Sequence, residues 1–173
     1  MPKIDEMQLK KEIKSGDFKN AYLLYGEESY LKEYYANELK NKIVDKTFEA
    51  FNYHSFDGKD TELDDILKDA QMLPMMSEYN FVLVKDYPIE KSSNDIKLLE
   101  EYLSDAPDST VLLFWFDALD PDVKSAKFKK VIKAFEKAGN CVELQKRSEN
   151  DVAKLLVNGA KKRGALLLSL IHI

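Results

Sequence analysis

"AYLLYGEESYLKEYY", residues 21–35, decides how this chain is read. The apolar run from Ala21 to Tyr25 ends in Gly26, and apolar residues near helical spacing follow at Leu31, Tyr34, Tyr35, Leu39 and Ile43. A strand, a glycine turn and a helix in that order mark the place where a nucleotide-binding fold cradles phosphate. Lys32, six residues past Gly26, even matches the lysine of such a loop. The rest of the pattern G-x-x-x-x-G-K-[ST] fails for physical reasons. Leu31 replaces the second glycine and also belongs to the apolar stripe. Glu33 replaces the hydroxyl residue that would hold magnesium, and Glu27 and Glu28 put negative charge where phosphate would dock. Two carboxylates at a helix start satisfy its dipole themselves. The residues Gly26, Glu27, Glu28, Leu31, Lys32 and Glu33 are therefore expected to form a degenerate P-loop that binds no nucleotide.

The same alternation continues in both directions. Asp5 to Ile13 reads as a short amphipathic helix stopped by Ser15 and Gly16, and Ser29 as the cap of the helix that runs to about Val44. Phe48 to Phe56 reads as a second strand region, and Thr61 to Met72 as a helix with Leu63, Ile66, Leu67 and Ala70 inward. Asn80 to Val84 is a third strand, followed by a helix capped by Asn94 that carries Ile96, Leu99, Tyr102 and Leu103. The fourth strand, Thr110 to Phe116, is the most apolar. The next helix has Asp120 as its expected cap, Pro121 at its first position and Gly139 just past its end. Cys141 to Leu144 is the fifth strand. Helices alternating with near-continuous apolar strands predict a three-layer α/β fold with a mainly parallel five-stranded sheet. Residues 1–146 are expected to form that domain. Residues 147–173 are expected to begin a small helical second one, with a helix from Asn150 to Arg163. The apolar tail, 165–173, is expected to be a truncated end with non-native residues.

Composition narrows the function classes. The chain has 173 residues, 45% hydrophobic and 33% charged, which suits one globular domain with a piece of another. A net charge of −5 leaves no global basic field to draw it onto DNA or an anionic membrane. Cys141 is the only cysteine, and His54 and His172 are the only histidines, so neither a disulfide framework nor a metal site is expected. No apolar run has the length of a membrane span, and the expectation is a cytoplasmic protein without cofactor. An enzyme using Lys32, Asp86 and Asp117 is one alternative, and a non-catalytic α/β scaffold is another. Against the enzyme, the third strand ends in Lys85 before Asp86, and a lysine there holds no cation.

Three stretches taken together resemble a known family: "YLLYGEESYLKE", "QMLPMMSEYNFVLVKD", and "LEEYLSDAPDSTVLLFWFDALD" with "KFKKVIKAF". In this order they closely resemble the delta subunit of the bacterial DNA polymerase III clamp loader, over about Phe18 to Gly164. The resemblance implies an AAA+-like first domain that does not hydrolyse ATP, within a longer protein with a helical second domain and a collar. It implies that the chain binds and opens the ring-shaped sliding clamp. The ATPase and delta-prime subunits would be its partners, and primed DNA would be met only within the complex. It also implies the contact: a glutamine followed by apolar plugs that enter a pocket on the clamp. Here Gln71 would be the polar anchor and Met75 and Met76 the plugs, with Leu73 and Pro74 in the same element. The family more often has Leu or Phe at the plug positions; Met is unbranched and adaptable, but lacks the rigidity of an aromatic anchor. The ordinary structural alternative has Met72 and Leu73 closing the end of their helix and Pro74 stopping it; for Leu73 that alternative is preferred.

A second patch is weighed in the same way. Lys124, Lys127, Lys130 and Lys137 are expected to lie on one helix, with Lys127, Lys130 and Lys137 opposite the Phe128–Phe135 stripe. They form a candidate surface for DNA or a partner, although a solvated helix face is the preferred reading.

Overall fold

The computed structural model of the chain describes residues 3–146 and Val157. Expectations for 147–173 otherwise lie outside the described residues. The strands are β1 (Lys3–Ile4), β2 (Ala21–Tyr25), β3 (Tyr53–Asp57), β4 (Asn80–Lys85), β5 (Thr110–Trp115) and β6 (Gly139–Glu143). The helices are α1 (Glu6–Ser15), α2 (Ser29–Ile43), α3 (Glu49–Asn52), α4 (Leu63–Ala70), α5 (Ser93–Ser104) and α6 (Ala126–Ala138). The strands form one sheet in the order β1-β6-β2-β5-β4-β3, and every pairing is parallel. The expected five strands are all present, and the two-residue β1 adds a sixth at the edge beside β6.

The alternation of side chains along each strand builds two cores. From β2, Ala21, Leu23 and Tyr25 face a cluster completed by α4, α5 and α6, including Ile66, Leu99, Phe128 and Phe135. Tyr22 and Leu24 face the opposite cluster, where α1 and α2 contribute Leu9, Ile13, Leu31, Tyr35 and Leu39. Central strands buried on both faces give the continuous apolar runs seen in the sequence, and β5 is buried at every position. Helix α1 is also docked by polar contacts. The buried Glu12 accepts from the Tyr22 hydroxyl at 3.2 Å and from the Asn140 amide at 2.7 Å, so strands β2 and β6 both reach it.

Four local expectations are corrected. Ser29 is the first residue of α2 rather than its cap; Glu28 holds that position and makes no side-chain cap bond. Ser92, not Asn94, caps α5: its hydroxyl accepts from the Asp95 N–H at 3.1 Å and donates to the Asp95 carboxylate at 2.8 Å. Helix α6 starts at Ala126 with Ser125 as cap, so Asp120 and Pro121 precede it. The reason is Glu90, whose carboxylate accepts from the Asp122 N–H and the Ser125 hydroxyl and holds the segment before the helix in a turn. Finally, the first half of the expected strand at Phe48–Phe56 is the helical turn α3, and only its second half joins the sheet.

Phe135 is fully buried and meets Phe114 edge-on, with ring centroids 5.5 Å apart. Phe135→Ala is expected to lower unfolding free energy by about 3–5 kcal/mol. Urea unfolding followed by circular dichroism measures this, and a loss below about 1 kcal/mol contradicts the packing described.

Candidate functional site

Two loops at the ends of the strands and helices were singled out by the sequence, and they differ in kind. The first is the glycine turn. Gly26 has φ 109°, a backbone that side-chain-bearing residues rarely adopt, and a Cβ built on it would lie 2.5 Å from the Leu144 carbonyl oxygen. That closeness comes from the chain itself. Leu144, just past β6, donates its N–H to the Tyr25 carbonyl at 2.8 Å and accepts from the Glu28 N–H at 3.0 Å. The turn is thus stitched to the sheet by backbone bonds on both sides of Gly26.

Lys32 completes the closure. Its side chain is almost fully buried, and its ammonium donates to the Gly26 carbonyl at 2.6 Å. Burial lowers its pKa from the ordinary lysine value, while Asp117, Asp120, Asp86 and Glu28 favour the charged form and oppose that shift. The lysine that resembles a phosphate ligand in the sequence is spent on its own loop. Leu31, beside it, is buried in the core, while Glu27 and Glu33 are exposed.

The acidic residues at neighbouring strand ends are committed in the same manner. Asp86 is buried, and its carboxylate accepts from the backbone N–H groups of Asp117 at 2.7 Å, Ala118 at 3.0 Å and Leu119 at 3.0 Å. Burial opposes its ionisation, but the N–H groups of Leu119, Asp117 and Ala118, with Lys85 nearby, outweigh it and hold the carboxyl below the ordinary value. Lys85 pairs with Asp117 at 2.8 Å and lies over the Trp115 ring. Lys32, Asp86 and Asp117, the residues an enzymatic reading would use, therefore all have partners within the chain.

The second loop follows α4 and turns outward. Gln71 is the C-cap of α4 and is exposed. Leu73 is 81% exposed and Met76 78%, while Met75 and Met72 are about half exposed and Pro74 is partly buried. The alternative in which Met72 and Leu73 close the helix end, preferred for Leu73, is overturned for that residue by its exposure. The end of α4 is instead closed by the buried Asn80, whose amide donates to the Asp69 carbonyl at 2.8 Å and the Met72 carbonyl at 3.3 Å. With the helix end closed by a polar group, the apolar side chains of Met72, Leu73, Met75 and Met76 are left exposed in one run of sequence among the described residues. Phe51, on α3, is a further exposed aromatic. Its neighbour Asn52 is buried and bonds to the backbone of Met75 at both N–H and carbonyl. Sequence reasoning missed Asn52 and Asn80; the available signal was an amide side chain set among apolar residues at the start of a strand.

The third group of sequence candidates is separate. Lys127, Lys130 and Lys137 are exposed on α6, and Lys124 is exposed in the turn before it.

An all-parallel sheet covered by helices on both faces, with its glycine turn closed on itself, defines a three-layer α/β module. Within that class, the family model for the DNA polymerase III delta subunit matches residues 22–145, and the chain belongs to that family. A curated relative, DNA polymerase III subunit delta of Bacillus subtilis, is 30% identical over 158 residues, 87% of this chain and 44% of the relative. The chain thus spans less than half of that relative's length. The solved structure of the Bacillus subtilis DNA clamp loader delta protein superposes with a TM-score of 0.71 at 25% identity, covering 91% of this chain and 47% of that one. A gamma subunit-related protein of DNA polymerase III from Thermotoga maritima shares the fold at a TM-score of 0.56 and 15% identity, over 87% of this chain and 49% of that one.

Two outcomes test the closed edge. Gly26→Ala should destabilise the fold by about 1–3 kcal/mol, because the new methyl meets the Leu144 backbone in a left-handed conformation; unchanged denaturation would contradict the stitched turn. Asp86 gives a pH test. Its folded pKa lies below the ordinary 3.8, so the unfolded chain binds the proton more readily. The stability it contributes is present above that value and is lost as pH falls through the folded pKa. In urea titrations the gap between the native chain and Asp86→Asn should narrow as pH drops below 3.8; a gap that is constant or widens there counts against the arrangement.

Proposed function

We propose that this chain is the clamp-recognising part of a clamp-loader delta subunit, and that it binds the sliding clamp and opens one of its interfaces without hydrolysing ATP. The observation that carries the reading is the loop after α4, where Leu73, Met75 and Met76 stand exposed on a backbone held by two buried asparagines. Adjacent apolar side chains at a fixed backbone position suit a concave apolar pocket on a partner. Gln71, exposed at the end of α4, is the polar anchor beside them. Leu73 joins Met75 and Met76 in this role, since it packs against no helix end.

Opening follows from differential binding. A ligand shifts a closed–open equilibrium only by its preference for the open form, so the loop must bind the strained or opened ring more tightly. Energy from ATP would come from partner subunits of the ATPase type, assembled with a delta-prime subunit. The closed glycine turn supports that division of labour, because the lysine and the carboxylates that nucleotide chemistry needs are engaged internally. The lysines of α6 would approach primed DNA only within the assembled complex, since the net charge of −5 gives the chain alone little attraction for a phosphate backbone. The cytoplasm is the compartment this function requires.

Surface plasmon resonance of the full chain over an immobilised bacterial sliding clamp tests the reading, with ATP–magnesium titrated into the chain by calorimetry in parallel. Saturable clamp binding is expected, without nucleotide heat. Replacing Leu73, Met75 and Met76 together by Ala should weaken binding at least about thirtyfold, as expected for removal of an interface hot spot. A triple variant that binds as well as the native chain overturns the proposal. So does a folded native chain that does not bind the clamp.

A further inference from the structure

We propose that Asn52 is a positioning residue that sets the loop after α4 in its docking shape before a partner arrives. The inference rests on the clamp-binding reading above and concerns how the loop is held. Asn52 lies at the end of α3, far from the loop in sequence, and is only 1% exposed. Its side-chain oxygen accepts from the Met75 N–H at 2.6 Å, and its amide donates to the Met75 carbonyl at 2.9 Å. The same amide also reaches the Phe48 carbonyl at 3.2 Å. One buried side chain thus takes both backbone groups of a residue that is itself about half exposed. A neighbouring strand would satisfy Met75 in the same way, but among the described residues the loop lies between α4 and β4 and pairs with no strand.

Two further features hold the same segment, and a third shows that it is held. Asn80 fixes its start through the Asp69 and Met72 carbonyls. Pro74 restricts one φ angle. Met76 sits at φ 53°, a left-handed conformation that a non-glycine residue keeps only when its surroundings impose it. The fold therefore meets the ordering cost of this loop in advance, and a partner that docks on Leu73, Met75 and Met76 does not meet it again. Without Asn52 the two backbone groups of Met75 turn to water, and the loop that carries the exposed apolar side chains samples other shapes.

The experiment compares Asn52→Ala with the native chain in two measurements. Amide exchange by NMR should show the Met75 N–H exchanging faster, while β4 amides keep their rates. Surface plasmon resonance over an immobilised bacterial sliding clamp should show affinity falling about tenfold, the factor expected when the ordering of roughly one residue moves into the binding step. Val131→Ala, which opens the core under α6, is the control for general destabilisation; its melting temperature should fall while its clamp affinity stays native. Should Asn52→Ala fail to fold, Asn52→Leu, which keeps most of the volume but loses both the acceptor and the donor for Met75, takes its place with the same expectations. Native affinity in the folded Asn52 variant, alongside loss of binding in the Leu73, Met75 and Met76 triple alanine variant, overturns the positioning role and leaves the clamp reading standing. An equal loss in Val131→Ala also overturns it, because the effect is then one of stability alone. Native binding by the triple variant removes the clamp reading itself, and the positioning role with it.

Discussion

The buried ammonium of Lys32 and the buried carboxylate of Asp86 set the terms for everything else at this end of the sheet. A parallel sheet brings strand ends, helix starts and their side chains to one edge, which in open α/β folds is where ligands bind. Each charged group buried there needs a compensating partner, because an uncompensated one costs several kcal/mol. In this chain the partners are internal. Lys32 bonds to the Gly26 carbonyl, Asp86 gathers three backbone N–H groups, and Lys85 takes Asp117. The Leu144 backbone closes the turn from β6. An edge built for chemistry in other proteins is satisfied here by its own atoms.

The consequence is a division between two loops. The glycine turn is closed inward and contributes to the fold. The loop after α4 is closed only through its backbone, by Asn52 and Asn80, and sends its apolar side chains outward. Buried amides suit this arrangement because each offers both a donor and an acceptor, so one side chain can satisfy a backbone segment that lies in no strand or helix. Apolar side chains could not have held the loop in the same manner without turning into the core and being lost to a partner. On the reading proposed for this chain, polar groups do the fixing and apolar groups do the binding.

Much of this was legible in the sequence, for identifiable reasons. The strands β2, β4 and β5 are buried on both faces and appear as unbroken apolar runs. The core faces of α4 and α5 follow helical periodicity, and Leu63, Ile66, Leu67 and Ala70 are buried as expected. The failure of the phosphate pattern at Leu31 and Glu33 was also readable, since it depends on residue type alone. What was not readable depends on partners distant in sequence. Ser125 rather than Asp120 caps α6 because Glu90 reaches across to the intervening turn. Lys32 matched a phosphate-loop lysine only by its spacing, and its burial on the Gly26 carbonyl could not be read from residue type. Leu73 looked like a helix-closing residue and is exposed, because Asn80 already closes that end. Asn52, an amide between Phe51 and Tyr53, signals a buried polar group but not its partner, since Met75 lies 23 residues along the chain. The family resemblance located the outward loop, but not what holds it.

Hydrogen–deuterium exchange of the full chain, with and without a bacterial sliding clamp, tests the central claim most directly. If the outward loop is the contact, residues 71–77 slow markedly on adding the clamp. Residues 26–33 keep their rates, both with the clamp and with ATP–magnesium. Slowing at residues 26–33 on adding nucleotide, or unchanged exchange at residues 71–77 with the clamp bound, would contradict it.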